Sequence, residues 1–185
     1  MQSTVIATEN SAKTKWVLDP AHSEITFRVK HLMISNVKGE FRKVSAEIIG
    51  NDLSTASIRA SIDAASISTN EGDRDNHLRS ADFFDVENHP ELTFEGTSFV
   101  KLDDDNYALK GKLTIKGISK EVAFEVEFGG IGKDPWGNEK AGFSLQGKIN
   151  RKDWGLNWNA ALEAGGVLVS DEVRIDAELH FVKQA

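Results

Sequence analysis

From Trp16 onward the chain places an apolar residue at every second position, and no other feature restricts its fold so tightly. Ile25, Phe27 and Val29 alternate with Glu24, Thr26, Arg28 and Lys30; Val44, Ala46 and Ile48 with Ser45 and Glu47; Ile58, Ala60, Ile62 and Ala64 with Ser57, Arg59, Ser61 and Asp63; Leu92 and Phe94 with Thr93 and Glu95. The second half continues with Tyr107, Leu109, Gly111, Leu113 and Ile115, then Val122, Phe124, Val126 and Phe128, then Phe143, Leu145, Gly147 and Ile149, and last Val173, Ile175, Ala177, Leu179 and Phe181. A period of two describes a strand with one buried and one wet face. Eight such runs, mostly joined by short connections, imply an antiparallel sheet. Gly50-Asn51-Asp52, Asp103-Asp104-Asp105-Asn106, Lys116-Gly117 and Asp134-Pro135-Trp136-Gly137-Asn138 supply turn chemistry between them.

Eight half-wet strands need a shared apolar inside. A closed barrel provides it and removes the sheet edges; a two-layer sandwich is the alternative. The expected fold is therefore all-β, an extended eight-stranded antiparallel barrel with one short helix inserted over residues 70–81. Asn70 is the expected cap of that helix, Asp73 suits its positive end, and Asp75 and Arg79 stand four apart in position to pair. Residues 1–15 are polar and aperiodic and read as a loose arm; residues 16–185 read as one barrel domain. An eight-stranded barrel is just wide enough to fill with side chains or to hold one small ligand. Small residues at inward positions (Ala60, Ala64, Gly111, Gly147 and Ala177) leave both outcomes open, because glycine in a strand marks either a bend or a space.

Charge and composition remove several functions. With 29 acidic and 22 basic residues the formal charge is −7, which disfavours non-specific binding to nucleic acid or to anionic membranes. The chain has no cysteine, so disulfides and thiolate metal sites are excluded. The longest apolar stretch near the N-terminus is Val5-Ile6-Ala7, too short for a secretion signal or a membrane span, and a cytoplasmic location is expected. The five histidines form no HExxH-type pair; His22 and Glu24 lack a third ligand, and neither metal nor cofactor is expected. No nucleophile elbow, P-loop or dinucleotide fingerprint is present.

Four segments resemble the YceI-like family of lipid-binding proteins. They are Trp16–Ser23 leading to Phe27, Val29, His31 and Gly39-Glu40-Phe41; Ser68–Leu78 with Ser80–Asp85 and His89-Pro90; Gly111–Gly117; and Ile149–Gly155 with Val169–Val173. The similarity runs from Trp16 to Phe181. It implies a lipocalin-like barrel around a tunnel for a long apolar chain, such as a polyisoprenoid or an isoprenoid quinone, or for a fatty acid or fatty amide, with no catalysis. Many relatives carry a secretion signal, from which this chain departs.

Candidate ligand-binding residues follow. The apolar lining is Phe27, Val29, Met33, Phe41, Ile62, Leu78, Phe83, Phe84, Phe94, Leu113, Phe143 and Leu145, with His31 beside it. For any one of these, ordinary core packing is the competing reading. Asn70, Arg74 and His77 are placed at a mouth, where Arg74 suits an anionic head group. The competing and preferred role is a structural lock in which Asp75 meets an arginine and His77 a backbone carbonyl. Arg151 and Asp153 read as a structural pair or turn cap, and Trp154 and Trp158 as a gate or an end cover. An enzyme using Arg74, Asp75 and His77 on a bound lipid is the alternative function, and a filled barrel acting as a homodimer is a third.

Overall fold

The computed structural model describes residues 13–160, 162 and 168–185. Eleven strand segments form one antiparallel sheet: β1 Lys15–Leu18, β2 Glu24–His31, β3 Ser35–Phe41, β4 Val44–Ile49, β5 Ser57–Asp63, β6 Ile67–Ser68, β7 Glu91–Lys101, β8 Asn106–Ile115, β9 Ile118–Lys133, β10 Glu139–Asn150 and β11 Val169–Lys183. The helix α1 spans Gly72–Arg79. Three staves are broken in two. β1 and β2 both pair with β11, β1 through Leu18–Phe181 and β2 through Ile25–Ala177; β4 and β3 pair with β1 and β2; β5 and β6 pair with β4 and β3. The remaining staves follow in chain order, and β1 on β11 shuts the ring. The result is a closed eight-stranded barrel with one short helix, as the alternation predicts.

The breaks have local causes. Between β1 and β2, Pro20 starts a short 3-10 turn capped by Asp19, whose carboxylate accepts from Ala21 N–H at 3.1 Å. His22 therefore lies in a turn and not on the expected strand face beside Glu24; its Nδ1 meets Asp19 at 2.7 Å. Between β5 and β6, Asp63 caps a second 3-10 turn through Ala65 N–H at 3.0 Å.

The His22 contact, followed by those with Lys140 and Ala21, holds the Asp19 carboxyl below its ordinary 3.8. Asp52, Asp103 and Asp134 are lowered likewise by turn donors, chiefly Ser54 N–H, the Asn106 amide and the Asn138 amide. An unfolded chain takes up these protons near 3.8, before the folded chain does. Their stabilisation is therefore present above that value and lost as pH falls through and below it. A melting temperature followed from neutral pH downward should stay level and then fall below about pH 4, and Asp19→Asn should make that fall shallower.

Large neighbours occupy the space left by the strand glycines. A Cβ on Gly111 would overlap the Phe94 ring and come within 2.6 Å of Glu95 O; one on Gly147 would overlap the Phe124 ring. Both glycines are sockets for aromatic rings from the adjacent strand. Gly111→Ala and Gly147→Ala should each lower stability by about 1–3 kcal/mol, read from the urea midpoint, because the rings must leave their rotamers.

Several local expectations are corrected. The helix cap is Glu71, whose carboxylate accepts from Asp73 and Arg74 N–H, while Asn70 sits before it at φ 61°. Asp75 does not pair with Arg79, which donates instead to Ala65 O, Ile67 O and Asn76 Oδ1. Lys15 belongs to β1 and Thr14 is bonded to Asn51, so the barrel begins before Trp16. The rest of the expected arm, residues 1–12, lies outside the described residues.

Candidate ligand-binding cavity

One end of the barrel is solid. Leu18, Ile48, Phe99, Val126, Phe143 and Phe181 are buried there; Phe143 stands edge-on to Phe181 at 5.8 Å and tilts against Phe128 at 5.1 Å. Toward the other end the walls draw apart around a cavity of about 560 Å³, within the range of small-molecule sites. Its floor is Phe181, Leu179 and Leu109. Its wall includes Phe27, Phe41, Ile62, Phe94, Leu113, Phe124 and Leu145, with Ala60 and Ala177 adding width. Side chains at these positions alternate inward along β2, β3, β5, β7, β8, β9, β10 and β11, so the sheet's own period builds the lining.

Polar groups gather at the mouth, where α1 crosses between β6 and β7. Glu71, Asp73, Arg74 and His77 line this rim together with His31, Leu168 and Trp158. Thr69 organises it. Asp75, buried, accepts from Thr69 N–H at 2.7 Å and Thr69 Oγ1 at 2.6 Å. Arg74 donates from Nε to Thr69 Oγ1 at 2.6 Å and from Nη2 to Thr69 O at 2.9 Å. His77 contacts Asp82 Oδ2 through Nε2 at 2.9 Å and stands edge-on to Trp158 and Phe83 at 4.7 and 5.1 Å. Asp75 and His77 thus serve different partners. Neither pairing of the expected lock forms: Asp75 meets Thr69 and not an arginine, and His77 meets Asp82 and not a backbone carbonyl.

Arg151 closes the base of the long β10–β11 connection. Its Nε donates to Ser170 O at 2.9 Å, Nη1 to Leu156 O at 2.6 Å and Trp158 O at 2.8 Å, and Nη2 to Val169 O at 3.3 Å. It does not pair with Asp153; the nearest carboxylate is Asp171 at 4.0 Å. Burial lowers its pKa and Asp171 opposes that. Trp154, 2 % exposed, donates from Nε1 to Leu113 O at 2.9 Å. Among the described residues no helix is long and apolar enough to cross a membrane, and no three His, Asp or Glu side chains converge to hold a metal.

The YceI-like domain family matches residues 16–181. The chain belongs to the YceI-like family. It is 43 % identical over 171 residues to a UPF0312 protein of Staphylococcus epidermidis, covering 91 % of this chain and 97 % of the relative. Among solved structures it is similar to the YCEI protein of Campylobacter jejuni, with 36 % identity, TM-score 0.72 and coverage of 84 % and 90 %. It is also similar to BcnA of Burkholderia cenocepacia, with 25 % identity, TM-score 0.75 and coverage of 88 % and 98 %. A polyisoprenoid binding domain from Saccharophagus degradans, 15 % identical with TM-score 0.68 over 91 % of this chain and 98 % of that one, shares the fold.

In this YceI-like barrel the residues named from sequence divide by position. Phe27, Val29, His31, Phe41, Ile62, Arg74, His77, Leu78, Phe83, Phe84, Phe94, Leu113, Leu145 and Trp158 line the cavity. Four do not. Met33 is on an exposed turn, 51 % accessible. Asn70 lies outside the rim, where Arg42 reaches its Oδ1 at 3.4 Å. Phe143 belongs to the solid end, and Trp154 is spent on covering the barrel beside Leu113. Lining residues not singled out include Ile25, Ala46, Ile58, Phe124, Ile175 and Phe181. Most of these already carried the inward phase of the alternation.

Proposed function

We propose that this protein binds and carries or stores one long apolar ligand, of the polyisoprenoid, isoprenoid-quinone or related lipid class, and performs no chemistry on it. The observation that carries this reading is a cavity of about 560 Å³ walled mainly by aliphatic and aromatic side chains, with Glu71, Asp73, Arg74 and His77 gathered at its rim. Burial of a chain of isoprene units gains about 0.8 kcal/mol per methylene-sized group, so affinity comes from the number of weak contacts and the wall can accept related chains. A polar head then rests at the rim beside Arg74. The shared fold of the polyisoprenoid binding domain supports the same ligand class. The test is native purification, solvent extraction and mass spectrometry of the extract. A prenyl or acyl chain recovered in constant proportion to protein is expected. Repeated recovery of well-folded protein with no lipid, and no uptake of added prenyl chains, would refute the reading.

A further inference from the structure

The β2–β3 turn combines features that packing does not account for. Its tip, Leu32-Met33-Ile34, is three consecutive apolar residues, 39, 51 and 84 % exposed. Ile34 N–H closes the turn on His31 O at 3.2 Å, and Leu32 and Met33 both take left-handed backbone, φ 55° and 60°. Such a turn selects Asn-Gly, since a bulky side chain at positive φ is strained. The β8–β9 turn uses Lys116-Gly117 for the same geometry. Here the chain instead holds two large hydrophobes out to solvent in a disfavoured conformation.

The tip also stands at the cavity mouth. His31 lines the rim, and Leu32 N–H donates to Leu168 O at 2.9 Å, another rim residue. The residues flanking the tip are basic, Lys30 on β2 and Lys38 on β3, while the hairpin's two acids, Glu24 and Glu40, lie at its far end. Arg28 meets Asp176 at 3.4 Å, whereas Lys30 and Lys38 are exposed and absent from the ion pairs of the described residues.

We infer that this hairpin is an interfacial anchor, which seats Leu32, Met33 and Ile34 among the acyl chains of a bilayer carrying anionic head groups while Lys30 and Lys38 lie over the phosphates. The inference rests on the lipid-carrier reading and adds where the cargo is exchanged: the cavity mouth is held against the membrane. Each basic residue near an anionic surface strengthens binding roughly fivefold, and a three-residue wedge adds a shallow apolar footing. Binding of that strength is reversible, as a carrier that must leave requires. A symmetric second copy is a poorer occupant, because it sets Lys30 and Lys38 against their own equivalents.

The test is co-sedimentation with vesicles of phosphatidylglycerol and phosphatidylcholine in equal parts, against phosphatidylcholine alone, at low and high salt. The protein should pellet with the anionic vesicles and be released by salt. Leu32→Asn/Met33→Gly/Ile34→Ser should partition at least about tenfold less while melting at the same temperature or higher, since the turn strain is relieved. Lys30→Gln/Lys38→Gln should lose the preference for anionic vesicles. Uptake of a prenyl chain from detergent solution should be unchanged in the tip variant and in Lys38→Gln alone, which separates docking from cargo binding. Protein that docks but never holds lipid would sink the carrier reading and leave the anchor standing. No vesicle binding by the parent chain would overturn the anchor, as would unchanged binding by the tip variant. So would a tip variant that alters only self-association.

Discussion

Arg151→Met should lower unfolding stability by about 3–5 kcal/mol, read as a shift of the urea midpoint at constant slope. The side chain is 3 % exposed, and its guanidinium supplies donors to the carbonyls of Leu156, Trp158, Val169 and Ser170. Removing it takes the guanidinium donor from the buried Leu156 O and from the part-buried carbonyls of Trp158, Ser170 and Val169, of which Val169 O keeps Asn159 Nδ2 at 2.7 Å, and each lost bond carries a desolvation cost. Lysine cannot restore the arrangement, because one ammonium cannot reach acceptors spread around a planar fork. Asp171→Asn is the control. At 4.0 Å from Arg151 the carboxylate is a weak partner, and its loss should cost no more than about 1 kcal/mol. Equal effects of the two substitutions would show that the pair, and not the carbonyl cage, holds the β10–β11 connection.

Ala60→Trp should abolish ligand retention while leaving the barrel folded. Ala60 lies on β5 between Ala46 and Phe94, with its methyl at the cavity wall. An indole there occupies space the ligand needs, and excluding three or four methylene-sized groups at about 0.8 kcal/mol each reduces affinity about a hundredfold or more. The void is already present, so the added ring should not strain the wall, and the melting temperature should hold or rise. The same substitution at Ala64, in the 3-10 turn that follows β5, should unfold the protein: Ala64 is fully buried outside the cavity, with its N–H on Pro90 O at 2.9 Å. If the Ala60 variant purifies with as much lipid as its parent, the ligand does not occupy this space.

Both predictions depend on how the inward residues share the interior, and here the alternation was informative to different degrees. It placed one segment of each of the eight staves, missing β1, β3 and β6, because burial on one side of a strand imposes period two. Whether the interior was filled could not be read from Gly111 and Gly147, since a glycine opens space that only a neighbouring strand can claim; Phe94 and Phe124 claim it. The cavity survives between these rings and the opposite wall, where Ala60 and Ala177 contribute only methyl groups. Phe143 carried the same inward phase as Leu145 two residues later, yet one plugs the base and the other faces the void, because height along the barrel axis is set by register across strands. Met33 was misplaced for another reason: the β2–β3 turn contains no glycine, proline or asparagine at its centre, so the run seemed to continue. Asp75 was expected to meet Arg79 at helical spacing, but Thr69 offers it two donors from outside the helix, and a buried carboxylate takes the closer pair.

The seam between β1 and β11 fixes when the interior can close. Trp16 is hydrogen-bond neighbour to Lys183, so the first stave to leave the ribosome waits for the last before the ring can shut. Pairings so distant in sequence form late and slowly. Until β11 is made, the apolar faces of the emerging staves have no enclosed interior, and a lipid met at that stage has no walls to hold it. An enclosed interior therefore belongs to the finished chain, whereas β7–β10, a run of adjacent hairpins, pair among themselves without waiting for the seam.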